Sequence, residues 1–240
     1  MVKMSDHPSI LICGDKSSGK STMALEYLNF HLDIPIGTVI DPSDRASSYH
    51  GKIPTMFIHP NYHSSLGQRI LAHQKKSGKR AIDDDTGKED PRAFLILDEA
   101  ENDWQHDPQF KLLLSKRKAI STTIIVIDNH ITPELASNFD YVFIGHQDRC
   151  QLQKIHQLFG IFDSLDQLVE VVQQISKQHR FLVLNRHGHS HDNLSKSLYW
   201  YRADLERLHH FTICHPKYWT LEDRLRQQSE KVKRDEKTPS

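Results

Sequence analysis

Eight residues near the start of the chain, Gly14-Asp-Lys-Ser-Ser-Gly19-Lys20-Ser21, follow the spacing G-x-x-x-x-G-K-S between two segments of opposite character. Before them runs Ser9-Ile-Leu-Ile-Cys13, an apolar stretch that suits a buried strand of a parallel sheet. After them Met23, Ala24, Tyr27, Leu28 and His31 recur at helical spacing until Pro35 closes the segment. A strand, a glycine-bent turn and a helix in that order make a concave anion site, because backbone N–H groups and the positive helix end converge on it. The spacing therefore predicts a phosphate-binding loop made of Gly14, Asp15, Lys16, Ser17, Ser18, Gly19, Lys20, Ser21 and Thr22. In such a loop Lys20 reaches the β- and γ-oxygens of a nucleoside triphosphate, the Ser21 hydroxyl holds Mg²⁺, and Lys16 adds a second cation.

The rest of the chain repeats the alternation. Further strands are expected over Gly37 to Ile40, Thr55 to His59, Phe94 to Asp98, Thr122 to Asp128, Tyr141 to Gly145, Arg180 to Asn185 and Ser197 to Tyr201. Helices are expected over Ser64 to Lys76, Gln109 to Lys116, His146 to Phe159 and Ser164 to Gln178. Strands separated by helices predict an α/β fold of three layers, a mostly parallel sheet with helices on both faces. The glycine- and charge-rich stretch from Lys75 to Arg92 reads as an exposed loop, and Glu222 to Ser240 as a solvated helix fraying into a charged tail. The expected organisation is one domain over 1–221 and a flexible tail over 222–240. At 240 residues a single core is the natural size.

Composition excludes several classes. Lys plus Arg equals Asp plus Glu at 31 each, so no global field draws the chain to nucleic acid or an anionic membrane, and any such contact is local. No apolar run approaches the roughly 18 residues of a membrane span, and Met1 to Pro8 lacks the apolar stretch of a secretory signal. Three unpatterned cysteines, Cys13, Cys150 and Cys214, read as reduced thiols of an intracellular protein.

A second site follows from the sheet. Phe94-Leu-Ile-Leu97 leads into Asp98-Glu99, and in a parallel sheet the C-terminal end of that strand opens on the same crevice as the phosphate loop. Asp98 suits Mg²⁺ coordination through water, and Glu99 suits polarising the water that attacks the γ-phosphate. Successive strand side chains point in opposite directions, so the two carboxylates take different roles. Arg117, in Ser115-Lys-Arg-Lys118 ahead of the next strand, is the candidate cation for transition-state charge, acting in cis or lent to a neighbouring subunit. Asp128 and Asn129, at the far end of that strand, are the candidate polar sensors of the γ-phosphate.

Together the phosphate loop, Phe94 to Glu99, Ser115 to Lys118, and Ile124 to Asp128 running into Asn138-Phe-Asp140-Tyr141-Val-Phe143 resemble one family. They are similar to the genome-packaging ATPases of poxviruses and other large double-stranded DNA viruses, within the FtsK-HerA superfamily, over about Ser9 to Tyr201. The resemblance implies a RecA-like P-loop NTPase sheet with an additional strand between the two motif strands. It also implies ATP and Mg²⁺ as cofactors, and a homo-oligomeric ring that drives duplex DNA into a preformed capsid in the host cytoplasm, beside a capsid or vertex protein or within the virion. Lys20 and Ser21 match that family's Walker A residues, Asp98 and Glu99 its Walker B pair, and Arg117 its basic position before the fourth strand. Two positions depart from the pattern: Asp128 and Asn129 stand where the family has Gln, and Ala136 stands where it has Arg.

A packaging motor needs only phosphate contacts to DNA, since it must ignore sequence. Lys75, Lys76, Lys79 and Arg80 are the candidate contacts, with Arg149 and Lys154 as a second, sparser set. The histidines around His187 to His191 and His209 to His215 lack a paired zinc spacing and are read as loop residues. Trp200, Tyr201 and Trp219 are expected to pack near a sheet edge. Two rival readings share the phosphate loop: a nucleotide-held capsid scaffold with little hydrolysis, and a small-molecule nucleotide kinase.

Overall fold

A computed structural model describes residues 6–29, 34–43, 48–83, 91–100, 104–160, 162–177, 180–186, 197–202 and 211–235. The strands are β1 (Ser9–Cys13), β2 (Ile36–Ile40), β3 (Ile58–His59), β4 (Ala93–Asp98), β5 (Thr122–Ile127), β6 (Tyr141–Ile144), β7 (Arg180–Asn185) and β8 (Leu198–Arg202). The helices are α1 (Lys20–Tyr27), α2 (Ser64–Asp83), α3 (Pro108–Lys116), α4 (Pro133–Ala136), α5 (Arg149–Phe159), α6 (Leu165–Ser176) and α7 (Pro216–Asp235).

One sheet of eight strands has the order β3-β2-β4-β5-β1-β6-β7-β8. The six strands from β3 to β6 pair in parallel, and β7 then runs antiparallel to both β6 and β8. β5 therefore separates β1, which feeds the phosphate loop, from β4, which ends in Asp98. That is the additional-strand arrangement the family resemblance implies.

The central strands read as unbroken apolar runs because both faces are covered. Alternate residues take opposite sides. Leu11, Leu95, Leu97, Ile124, Val126, Val142 and Leu182 meet Leu66, Phe110, Leu113, Leu152 and Leu168 of α2, α3, α5 and α6. Ile10, Ile12, Phe94, Ile96, Ile125, Ile127 and Phe143 meet Met23, Ala24, Tyr27 and Leu28 on the α1 side. Helix starts follow from side-chain caps: Asp107 accepts from Gln109 N, Thr132 from Leu135 N, Asp148 from Gln151 N and Ser164 from Gln167 N.

The boundaries shift in three places. α2 continues to Asp83, so the backbone of Lys75 to Asp83 is helical where a loop was expected. Over its first half buried Leu66, Leu71 and Gln74 alternate with exposed Arg69, His73, Lys75 and Lys76, so one face meets the sheet layer. Residues 84–90 lie outside the described residues. The division expected after residue 221 falls inside α7, which is tied back by Glu222 accepting from Thr55 N at 2.9 Å and by Trp219 Nε1 donating to the Ile213 carbonyl. Thr55 to Phe57 form a single 3₁₀ turn, leaving two residues for β3. The His187 to His191 turn, His209 and His210 lie outside the described residues, and no metal-capable cluster occurs among those described. Trp200 lies on the edge strand β8, as expected, 55% exposed and with the Arg180 guanidinium stacked 4.1 Å from its ring centre.

Candidate functional site

Five parallel strands end on one edge, and each delivers a glycine or a carboxylate there: Gly14 after β1, Asp41 after β2, Asp98 closing β4, Asp128 after β5 and Gly145 after β6. A cleft of about 490 Å³ opens among Lys16, Lys20, Ser21, Asp41, Asp98 and Glu99, with Ser17, Gly19, Thr22 and Ser48 completing its wall. The topology forces this convergence, since parallel strands share one C-terminal edge.

Glycine shapes the loop at two positions. Gly19 has φ 89° and caps α1 with no side chain to hold the first-turn amides, so those N–H groups remain donors at the cleft. At Gly14 a Cβ would fall 2.6 Å from Ser18 Oγ, itself buried without a hydrogen-bond partner. The loop is also tied to its neighbours: Asp15 N donates to the His146 carbonyl at 2.7 Å, and the Asp15 carboxylate lies 3.1 Å from His146 Nδ1.

Lys20 is 6% exposed, and its ammonium meets three acceptors: the Gly14 carbonyl at 2.9 Å, the Asp15 carbonyl at 3.0 Å and Glu99 Oε1 at 2.8 Å. Glu99 has φ 47°, a left-handed backbone fixed by its N–H donating to the Ile127 carbonyl at 2.8 Å. Both carboxylates line the cleft, Glu99 at its open side because the left-handed turn directs it there, and Asp98 on its buried wall. Asp98 is 8% exposed, and its Oδ2 accepts from Ser21 Oγ at 2.6 Å and from Tyr49 at 2.7 Å. Burial pushes the Asp98 carboxyl above its usual range, the Ser21 and Tyr49 donors pull it down, and the Asp41 and Glu99 charges push it up again. Burial, with Asp98 alongside, holds the Tyr49 phenol well above its ordinary value, so it remains a donor.

The β5 end splits the two sensor candidates. Asn129 Oδ1 accepts from Gly14 N at 2.8 Å and its Nδ2 donates to the Gly14 carbonyl at 2.9 Å, so this carboxamide holds the loop. Asp128 accepts from His130 N at 2.7 Å, and burial raises its carboxyl above the ordinary value.

Arg117 stands apart from this chain's own cleft, so it does not supply a cation there in cis. Its Nη2 donates to both Asp140 carboxylate oxygens at 2.7 Å, its Nη1 donates to the Leu114 carbonyl at 2.9 Å, and its side chain is 11% exposed. Its carbonyl accepts from Thr122 N, which opens β5, so it lies the length of that strand, roughly 20 Å, from the phosphate loop. Asp140 also accepts from Ser9 N at 2.9 Å. The pair therefore clamps the N-terminal edge of the sheet.

No family model matches the chain. An uncharacterized protein of Acanthamoeba polyphaga mimivirus, L437, is 26% identical over 240 residues, spanning 92% of this chain and 82% of the relative. The genome-packaging NTPase B204 of Sulfolobus turreted icosahedral virus 2, solved with sulfate, superposes with a TM-score of 0.57 at 16% identity, covering 84% of this chain and 99% of B204. The chain has the fold of a viral genome-packaging ATPase. B204 has also been solved with ATP-gammaS, at a TM-score of 0.57, 14% identity and coverage of 84% and 100%. The cytoplasmic domain of the type VII secretion ATPase EccC from Thermomonospora curvata superposes with a TM-score of 0.51 at 13% identity, over 87% of this chain but 29% of EccC.

Within this packaging-ATPase fold, sequence reasoning missed Asp41, Ser43, Ser48 and Tyr49. Asp41 is 5% exposed and accepts from Ser43 N at 2.9 Å, and a third carboxylate thereby faces the cleft. A signal for it existed: an acidic residue directly after the strand at Gly37 to Ile40, by the same logic that found Asp98. Tyr49 carried none, because the segment that returns it to β4 has no periodicity. Lys75 and Lys76 are exposed on α2, while the side chains of Lys79 and Arg80 lie outside the described residues.

Proposed function

We propose that the chain is an ATP-driven DNA translocase that packages viral double-stranded DNA into a preformed capsid, working as a homo-oligomeric ring in the host cytoplasm beside a capsid or vertex protein. The single observation carrying the ATPase part is the cleft itself: a buried Lys20 fixed 2.8 Å from Glu99, with Ser21 2.6 Å from Asp98 beside it. A triphosphate entering the cleft exchanges the Lys20 contacts to Glu99 and to the loop carbonyls for phosphate oxygens, while the first-turn amides of α1 donate to the same group. Glu99 is then freed to accept a proton from an attacking water.

The donor set fits Mg²⁺, since the Ser21 hydroxyl and the Asp98 carboxylate are hard oxygen groups meeting at the cleft wall. Bound there, the ion neutralises charge on the phosphate oxygens. Ser21 and Asp98 hold it, Lys16 and Lys20 supply the fixed positive charge, and Asn129 keeps the loop in register with β5.

The fold shared with viral packaging NTPases supports the motor reading, and exposed Lys75 and Lys76 on α2 offer cations to a DNA backbone. Arg117 is paired with Asp140 in its own chain, and this favours one alternative, a nucleotide-held scaffold with negligible turnover. Steady-state ATP hydrolysis with and without linear duplex DNA separates the two. A rise in turnover with DNA, lost on raising salt, supports the translocase; nucleotide binding without turnover in either condition supports the scaffold.

A further inference from the structure

Asp98 is held from two directions. Ser21, on the phosphate loop, is itself one of the groups offered to the metal, so its contact with Asp98 moves with that loop. The second donor, Tyr49, belongs to a different part of the chain, the segment between β2 and β3. It is 0% exposed and packs in the core layer that contains Phe94 and Ile96 of β4, the strand carrying Asp98. A phenol has two side-chain torsions, and complete burial fixes both. Its hydroxyl therefore stands at a set point, 2.7 Å from Asp98 Oδ2. Among the described residues, Ser21 and Tyr49 are the hydrogen-bond donors to that carboxylate.

We infer that Tyr49 is a positioning residue for the metal–nucleotide site, fixing the Asp98 carboxylate so that its remaining lone pairs face the cleft for a divalent cation. The inference rests on the ATPase reading. Tyr49 touches neither nucleotide nor metal; it acts through Asp98. A carboxylate with a fixed outer donor keeps its orientation when the phosphate loop shifts, whereas one held by Ser21 alone follows the loop. The backbone turn that carries Tyr49 also places Ser48 on the cleft wall, so the contact joins this turn to the metal site.

The test is Tyr49→Phe, which removes one oxygen and keeps the ring. Binding of a fluorescent ATP analogue is titrated with Mg²⁺, beside the same binding in chelator and the unfolding midpoint. The expected result is a half-saturating Mg²⁺ concentration raised by about tenfold or more, with metal-free nucleotide affinity unchanged. Adding Tyr49→Phe to Asp98→Asn should then cause no further rise. Wild-type protein that responds to Mg²⁺ with a Tyr49→Phe curve lying on top of it overturns the inference and leaves the ATPase reading intact. Equal losses of metal-free and metal-dependent affinity overturn it too, since they mark a role in the fold alone. Wild-type protein that binds no nucleotide at any Mg²⁺ concentration removes both. If the phenylalanine protein does not fold, fluorotyrosine placed at position 49 reads the contact directly. Its fluorine resonance should move on adding Mg²⁺ to the nucleotide complex, and a resonance that ignores Mg²⁺ overturns the inference.

Discussion

Asn129 grips Gly14 on both sides of its Cα, accepting the N–H at 2.8 Å and donating to the carbonyl at 2.9 Å. Lys20 shares that carbonyl at 2.9 Å, so one backbone oxygen joins the end of β5, the start of the phosphate loop and the Lys20 ammonium. The end of β5 and the loop therefore move as one body.

Asn129→Ala tests this. The substitution leaves the Gly14 N–H without its partner while the carbonyl keeps Lys20, and it should cost about 1–3 kcal/mol of folding stability. Nucleotide affinity should fall with it, because the loop loses its fixed register. Denaturant unfolding and nucleotide titration on the same preparation measure both; unchanged stability and unchanged affinity would show that the double contact holds nothing.

Arg117 separates a clamp from a lent cation. Arg117→Lys keeps the charge but loses the two-pronged contact with Asp140, so it should lower stability by about 1–3 kcal/mol while turnover per folded molecule survives. An arginine lent to a neighbour predicts the opposite pattern: a normal unfolding midpoint with turnover reduced by about a thousandfold or more. Calorimetry and steady-state hydrolysis below the variant's midpoint distinguish the two.

The buried Asp98 carboxylate carries a cost in folding. Burial is the chief cause of its raised carboxyl value, so the folded state binds this proton more tightly than the unfolded chain does. Its ionisation therefore weakens folding above the ordinary carboxylate range, and the weakening disappears as pH falls below that range. In chelator, Asp98→Asn should raise the unfolding midpoint near neutral pH, with the gap to wild type closing toward about pH 4. A wild-type midpoint above that of Asp98→Asn at neutral pH would contradict the assignment.

The sequence displayed its local chemistry more readily than its long-range contacts. The phosphate loop and the Asp98-Glu99 pair were legible because each is contiguous and because strand alternation and parallel edges place them by rule. The order of the sheet followed from the family resemblance more than from any local pattern. Asn138, Asp140 and Tyr141, the motif that carries most of that resemblance, hold the edge of the sheet away from the cleft: Asn138 O accepts from Ser9 Oγ, and Asp140 pairs with Arg117. A motif's specificity as a signature thus gave no guide to its position. Tyr49 and the Asn129 clamp were hidden because hydrogen bonds across 49 and 115 residues leave no periodic trace. The helical course of Lys75 to Asp83 was masked by Gly78 and the surrounding charge, which favour a turn locally.

Thiol chemistry reports on the core beneath the loop. Cys13 is buried, its Sγ donates to the Asp128 carbonyl at 3.2 Å, and burial with Asp128 nearby drives its thiol far above the usual value against a smaller opposing effect of Lys20. Burial pushes Cys214 up to about 12, while Cys150 is exposed. Because the thiolate is the reactive form, a disulfide reagent should modify Cys150 first, Cys214 slowly and Cys13 only on unfolding. Cys150→Ser should abolish the fast phase; a fast phase that persists would place another thiol in the open.

The most direct measurement compares ATP turnover and ATP binding in wild type and Glu99→Gln, each with and without linear duplex DNA. Wild type should turn over ATP at a rate that rises with DNA. Glu99→Gln should lose turnover and keep nucleotide binding, since Gln removes the proton acceptor but leaves Lys20 and the loop in place. Equal turnover in the two proteins would contradict the assignment of Glu99, and with it the claim that this cleft is where ATP is hydrolysed.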